Sequence, residues 1–325
     1  MHTQPAVVAI EGTTGTMNKT LQTILYSLCA GLVVVYYSES MFWSGLERKL
    51  DGIEFGITAL VYSIVFYLVL LIADRFQVQT PAGWFLLGAV YGWLVEGVIV
   101  QTTYEALPLT ISWTALGWHA PISVLVGWYG MRWWMRQGWW PTLLACIGLG
   151  IFQGIWSLGW WQEQFNDPNA VTGAPIDVLL SNLILGVTLV VGYWGADRLH
   201  AAAPRFGRMG LGLVTGFLAL WFVIVTVPLY PIALVVLPAC LLLALLPLWR
   251  KRARGAMEKP APTEVPAIRY LMVLLIPLIA SGLYTLLNNQ QFELQALFGM
   301  ILIPLGFIGL VLSLWRVSRL RTEGI

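Results

Sequence analysis

Residues 82–100 read AGWFLLGAVYGWLVEGVIV, an almost wholly apolar stretch in which Glu96 is the one charged residue. A helix needs about 20 mostly apolar residues to cross the hydrocarbon core of a bilayer. The pattern predicts an all-α fold, a polytopic integral membrane helix bundle of about 10 transmembrane helices. The expected spans cover residues 20–37, 53–72, 82–100, 108–128, 141–160, 176–194, 209–227, 231–249, 268–287 and 292–315.

The composition agrees with a membrane protein. Hydrophobic residues make up 58% of the chain and charged residues 10%, with a mean hydropathy of +0.76. Soluble globular chains carry about 25% charged residues, so this chain has too few to cover a surface that faces water. A formal charge of +2, three cysteines in separate spans and the absence of H-E-x-x-H, G-x-S-x-G and Walker motifs give no sign of a nucleic-acid partner, a metal or a cofactor.

The positive charges predict the orientation of the bundle. Cytoplasmic loops of membrane proteins retain Lys and Arg. With ten spans, all of the 18 Lys and Arg residues except Arg48 and Lys49 fall on the side that holds both termini. Both termini are therefore expected to be cytoplasmic, and the expected location is a prokaryotic cytoplasmic (inner) membrane.

The chain divides into five expected segments. The polybasic linker contains prolines, and it is expected to contact anionic lipid head groups. The segments are a polar N-terminal extension (1–19), helices 1–5 with the polar site (20–165), helices 6–8 (166–249), the basic, Pro-containing cytoplasmic linker (250–267), and helices 9–10 with a basic C-terminal tail (268–325).

Ten spans with both termini on one side permit an inverted repeat of five helices plus five. Pro121 in the fourth span and Pro277 in the ninth are matched candidates for helix interruption. The layout of ten short helices in about 300 residues resembles that of the drug/metabolite transporter superfamily. The resemblance concerns topology alone, and no residue role is carried over from it.

Two ionisable residues inside the spans are the main site candidates, since such residues are costly in a bilayer and usually have a function. Glu96 follows Gly88 and Gly92 at intervals of four residues, so its carboxyl group is expected to face a neighbouring helix. His119 shares a helix face with Ser123 and is expected to point inward as well. The spacing places the two groups about two turns apart in depth, so that a water molecule or a ligand would have to connect them.

Further candidates for substrate binding or proton coupling are the polar residues Glu105, Gln153 and Asn182 towards the predicted outer side, and the deeper tryptophans Trp113 and Trp156. Gln153 and Asn182 could line a vestibule or could hydrogen-bond between helices. An acidic outer mouth is expected at Glu39, Glu54, Glu163 and Asp177. These carboxylates could attract a cationic solute. Alternatively, the outer side is acidic only because Lys and Arg are retained on the cytoplasmic side.

Three functions fit these features. The first is a proton-coupled secondary carrier for a small cationic or amphipathic solute, with Glu96 as the coupling carboxylate and His119 at the midplane. The second is a membrane-embedded enzyme that acts from the outer face on a lipid or lipid-linked substrate, with Glu96 or Glu105 as general base. The third is a non-catalytic scaffold or assembly subunit. The sequence favours a non-enzymatic role and leaves substrate and oligomeric state open.

Overall fold

A computed structural model describes residues 18–43, 52–159, 174–200, 207–250, 264–287 and 294–319, and every regular element in these ranges is helical. Within these ranges, ten helices are long and apolar enough to cross a membrane, as the sequence predicts. They are α1 (Lys19–Ser40), α2 (Gly52–Phe76), α3 (Pro81–Ile99), α4 (Leu109–Gln137), α5 (Trp139–Leu158), α6 (Pro175–Leu199), α7 (Met209–Leu229), α8 (Ala233–Arg250), α9 (Ala267–Leu287) and α10 (Leu297–Arg319).

Local sequence signals explain where two of the helices begin. The side chain of Asn18 accepts a hydrogen bond from the backbone N–H of Thr20 at 2.8 Å, which caps α1. The Thr80 hydroxyl accepts from the N–H of Gly83 at 3.2 Å, and Pro81 occupies the first turn of α3. Capping at these positions satisfies donors that the helix itself leaves unpaired.

Helix α3 lies at the centre of the bundle and packs directly on the backbone of α4. A Cβ atom added to Gly88 would lie 2.7 Å from the Cα atom of Ala120, and one added to Gly92 would lie 2.5 Å from the carbonyl oxygen of Ala115. Only residues without a side chain permit this approach. The expectation that the stripe of small residues before Glu96 faces a neighbouring helix is confirmed.

Several helices depart from regular α geometry near the bundle centre. The segments Tyr36–Ser40 of α1, Val95–Ile99 of α3 and Ala115–Gly130 of α4 are π-helical, and Pro121 lies inside the last of them. Helix α9 is interrupted at residues 273–274, just before Pro277, which has no N–H to continue the helical hydrogen bonds. Segments of π-helix often occur at functional sites.

Helices α7, α8 and α10 form the periphery of the described bundle. Large apolar side chains are exposed along them, for example Leu213 and Ile224 on α7 and Val311 on α10. A soluble protein rarely exposes so much apolar surface, whereas lipid tails cover it without cost. This distribution supports an integral membrane protein.

Candidate functional site

The central feature of the site is a contact between Glu96 on α3 and His119 on α4. The Oε1 atom of Glu96 lies 2.8 Å from the Nε2 atom of His119. The two residues are 7% and 3% exposed. A carboxylate and an imidazole at this distance share a hydrogen bond, and a single proton decides whether the pair is neutral or negatively charged.

The expected separation of Glu96 and His119 by two turns is wrong, because the fourth span does not begin as a continuous helix. A 3₁₀ turn at Thr102–Tyr104 lies in the connection from α3, the span itself opens with another at Leu109–Ile111, and the continuous, π-helical part of α4 starts at Ala115. His119 therefore lies near the start of that helix, opposite the last turn of α3. The two side chains meet directly without a bridging group.

The second oxygen of the Glu96 carboxylate also has a partner. The hydroxyl of Thr102, in the 3₁₀ turn that follows α3, donates a hydrogen bond to Oε2. The turn is possible because Gln101 adopts a left-handed conformation with φ 64°. Its side-chain amide then donates to the carbonyl oxygens of Val98 and Ile99 at 2.8 and 2.6 Å. The end of α3 thus places both oxygens of the buried carboxylate in contact with donors.

A chain of buried hydroxyl groups continues from the other nitrogen of His119. Its Nδ1 atom lies 3.3 Å from Ser123 Oγ, which accepts a hydrogen bond from Ser38 Oγ at 3.0 Å. Ser38 Oγ in turn lies 3.0 Å from the hydroxyl of Tyr91. The Tyr91 ring also meets the imidazole edge to face, with centroids 5.5 Å apart. Together these groups form a polar network that connects α1, α3 and α4.

The structure moves Glu39 from the expected outer mouth into the bundle. Helix α1 continues past the predicted end at residue 37, so Glu39 lies in its last, π-helical turn. The Tyr62 hydroxyl donates to Oε1 of Glu39, and the indole N–H of Trp43 donates to Oε2 at 3.1 Å. The Tyr62 ring that binds Glu39 lies 6.1 Å, centroid to centroid, from the Tyr91 ring, which contacts His119. Glu39 therefore belongs beside the Glu96–His119 pair.

The other acidic candidates do not join this network in the part of the chain that the structure describes. Glu105 is exposed in the connection between α3 and α4. Glu54 and Asp177 are exposed in the first turns of α2 and α6. Glu163 lies outside the described residues. The described structure thus leaves Glu96 and Glu39 as the candidate carboxylates within the bundle.

Gln153 and Asn182 form a second buried network, which joins four helices. The Tyr36 hydroxyl donates to Gln153 Oε1 at 3.1 Å, and the Gln153 amide donates to Asn182 Oδ1 at 3.5 Å. The Asn182 amide donates to Ser281 Oγ at 3.1 Å. These contacts match the interhelical hydrogen bonding that the sequence offered as the alternative to a vestibule.

The two tryptophan candidates differ in their surroundings. Trp156 is buried in an aromatic cluster, with its ring centroid 4.4 Å from that of Trp118 and 4.6 Å from that of Phe298. Its indole N–H donates to the carbonyl oxygen of Phe42 at 2.5 Å. Trp113 is half-buried and faces Gly299 on α10. Trp156 therefore contributes packing close to the site, and Trp113 contributes to the contact between α4 and α10.

Sequence reasoning missed an ion cluster at the predicted cytoplasmic end. The Oδ1 atom of Asp197 accepts from Arg132 Nη2 at 2.6 Å and from Arg136 Nη2 at 3.1 Å. Its Oδ2 atom accepts from the Tyr270 hydroxyl at 2.9 Å, and the Arg132 guanidinium lies 4.4 Å from the Trp128 ring centroid. The sequence feature that could have predicted this cluster is the i, i+4 spacing of Arg132 and Arg136, which places both on one helix face.

The polar groups that converge on Glu96 and His119 are oxygen and nitrogen donors suited to proton exchange. Within the described ranges, no three His, Cys, Asp or Glu side chains converge in a way that could hold a metal ion.

Comparison of the chain with protein-family models, with curated proteins and with solved structures finds no match. The function therefore has to be argued from the geometry of the chain itself.

Proposed function

We propose that the chain is a proton-coupled secondary carrier for a small cationic or amphipathic solute, located in a prokaryotic cytoplasmic membrane with both termini cytoplasmic. The observation that carries the proposal is the 2.8 Å contact between Glu96 and His119, buried between two membrane-spanning helices. Ionisable groups at this depth are expensive, and they often form proton relays in pumps and transporters.

The chemistry of the pair supports exchange of a proton for a cation. With one shared proton, the Glu96–His119 pair is neutral overall, either as carboxylic acid and imidazole or as carboxylate and imidazolium. Loss of that proton leaves a net negative charge at a buried position, where an uncompensated charge is unfavourable. A cationic solute that approaches Glu96 restores neutrality. Proton and solute therefore compete for one site, which is the requirement for coupled exchange.

The two ends of the described bundle supply contacts that a carrier would open in turn. At the predicted outer end, the connection that contains Thr102 covers the Glu96 carboxylate. At the predicted cytoplasmic end, Asp197 ties α6 to Arg132 on α4 and to Tyr270 on α9. An inverted repeat of five plus five helices is part of this proposal. The irregular backbone at Pro121 and before Pro277 supports it.

The carrier proposal can be tested in proteoliposomes that contain a pH-sensitive dye. Monovalent organic cations such as choline and ethidium would be added outside, and proton movement would be recorded. Glu96→Gln should slow cation-driven proton movement by a factor of about 100, since it removes the group that exchanges the proton. Glu105→Gln is the matched control, since Glu105 is exposed next to the site. Equal rates for Glu96→Gln and the unaltered protein would refute the role of Glu96.

A second candidate function is a membrane-embedded enzyme acting on a lipid or lipid-linked substrate. It is favoured by the order of Ser123, His119 and Glu96, since a hydroxyl, an imidazole and a carboxylate in sequence can activate a nucleophile. In this arrangement Nδ1 of His119 would accept the proton of Ser123 while Glu96 holds the proton on Nε2. Labelling of Ser123 by a fluorophosphonate, lost in Ser123→Ala, would support this reading and count against the carrier.

The third function, a non-catalytic scaffold or assembly subunit, makes a different prediction for the same variants. Glu96→Gln and His119→Ala would then lower stability without changing any flux or turnover. Helix register is commonly fixed by buried polar contacts of this kind. Parallel measurement of unfolding and of proton movement separates the scaffold from both active alternatives.

A further inference from the structure

A groove on the side of the bundle has no role in the functions considered above. It lies between the start of α3 and the last turns of α10, at the predicted cytoplasmic end, and has a volume of about 320 Å³. Its lining consists of Thr80, Pro81, Ala82, Trp315, Arg316 and Arg319. Two of the six residues are cations and none is acidic.

The two arginines of this groove are available for an anion. Arg316 and Arg319 are exposed, and neither forms an ion pair with a carboxylate in the described part of the chain. The Arg319 guanidinium lies over the Trp315 ring at 4.3 Å, which orients it. The start of α3 adds little, because Pro81 has no N–H and Thr80 already caps Gly83. The guanidinium groups therefore supply the attraction, and their planar forks suit a phosphate.

An exposed apolar stripe on α10 leads from the bilayer interior to these arginines. Leu305, Ile308 and Leu312 follow each other at intervals of three and four residues, and they are 54%, 52% and 49% exposed. Arg316 and Arg319 lie four and seven residues beyond Leu312, on the same helix face. One face of α10 thus presents aliphatic side chains at membrane depth and cations at its end.

We propose that this groove binds the phosphate of an anionic phospholipid, with the acyl chains along the stripe on α10. The arginines lie at the end of α10 and the apolar stripe lies deeper, just as the phosphate of such a lipid lies at the membrane surface and its acyl chains lie deeper. A free phosphate would not contact the stripe. Basic pockets between membrane helices on the cytoplasmic side are known to recognise anionic head groups. The proposal concerns a different surface from the Glu96–His119 pair and does not depend on the carrier function.

The test is native mass spectrometry of the purified full-length protein with added phosphatidylglycerol or phosphatidylcholine. The variant Arg316→Gln/Arg319→Gln should bind phosphatidylglycerol roughly thirtyfold more weakly, since each cation near an anionic lipid surface contributes about 1 kcal/mol. The control variant Lys19→Gln/Arg198→Gln removes two exposed cations outside both the groove and the basic linker, and Arg198 lies over Trp194 at 5.3 Å in a similar stack. The control should retain the affinity of the unaltered protein.

Three results would overturn the proposal. Equal loss of lipid in the control variant would show that any interfacial cation attracts the lipid equally well. Equal binding of phosphatidylcholine would show that the negative charge is not recognised. Competition by inorganic phosphate at a concentration comparable to that of the lipid would show that the groove selects a free phosphate compound and that the stripe on α10 plays no part.

Discussion

Both ring nitrogens of His119 are engaged, with Nε2 2.8 Å from Glu96 Oε1 and Nδ1 3.3 Å from Ser123 Oγ. When Glu96 is ionised, Nε2 must carry a proton to donate to it, and neutral imidazole then leaves Nδ1 to accept from Ser123. When Glu96 is protonated, it donates to Nε2 and the proton of the ring moves to Nδ1. For a neutral imidazole, the protonation state of the carboxyl group therefore fixes the direction of the hydrogen bond between His119 and Ser123.

The first prediction concerns the stability of the Glu96–His119 pair. His119→Ala leaves a buried carboxyl group without its main partner and should lower the free energy of unfolding by about 3 kcal/mol or more. Glu96→Gln should cost about 1 kcal/mol, because the amide can still hydrogen-bond to His119 and Thr102. Unfolding of the purified protein by SDS in mixed micelles measures both values. A smaller loss for His119→Ala than for Glu96→Gln would contradict the contact.

The second prediction concerns the packing of α3 on α4. Gly92→Ala would place a methyl group 2.5 Å from the carbonyl oxygen of Ala115, and that backbone atom has little room to move. The substitution should lower the free energy of unfolding by about 1–3 kcal/mol through overpacking.

Gly212→Ala on α7 is the matched control for that measurement, since nothing lies within 4 Å of the added methyl group. It should stabilise the protein by up to about 1 kcal/mol, because alanine favours the helix over glycine. Equal effects of Gly92→Ala and Gly212→Ala would mean that α3 and α4 are not in backbone contact.

The third prediction separates the two arginines that contact Asp197. The side chains of Arg132 and Asp197 are 10% and 11% exposed, whereas that of Arg136 is 37% exposed. Asp197→Asn should lower the free energy of unfolding by about 3–5 kcal/mol, since it leaves the Arg132 charge buried without its counter-ion. Arg136→Gln should cost no more than about 1 kcal/mol because water screens that pair. If the two variants unfold alike, the buried ion pair is not the stabilising element.

The fourth prediction concerns access to the network. Ser123→Cys would be introduced after replacement of Cys29, Cys146 and Cys240, and a membrane-impermeant thiol reagent would be applied from each side. A carrier exposes position 123 to both sides in turn, so labelling from either face is expected. Labelling from the predicted outer side alone would favour the enzyme. A folded protein that resists labelling from both sides would favour the scaffold.

The ten spans could be predicted from the sequence because each is a continuous apolar run of sufficient length, and the run alone determines that a helix forms in lipid. The direction in which Glu96 points could also be predicted, since Gly88 and Gly92 place it on a stripe that needs a close neighbour. The first inference rests on the length of an apolar run and the second on the period of one helix. That period is a local property of the chain.

The direct contact with His119 could not be predicted, because the residues between Pro108 and Ala115 are apolar enough to resemble the start of a helix and instead begin with a 3₁₀ turn at Leu109–Ile111. Ser38 and Tyr91 were missed for another reason. They meet Ser123 from helices far away in the sequence, and no spacing within one helix reports such a contact. Asp197 was missed for a third reason. Counting the Lys and Arg residues on each side of the membrane predicts the orientation, but it does not report which carboxylate those residues contact.

The absence of side chains at Gly88 and Gly92 has a mechanical consequence. Where two helices pack this closely backbone to backbone, sliding or rolling brings their backbone atoms into collision, so we expect α3 and α4 to move together. A rearrangement that opens a path to Glu96 is then expected to preserve the packing of α3 on α4 that brings Glu96 and His119 together. The motion must take place where larger and more adaptable side chains separate this pair of helices from the rest of the bundle.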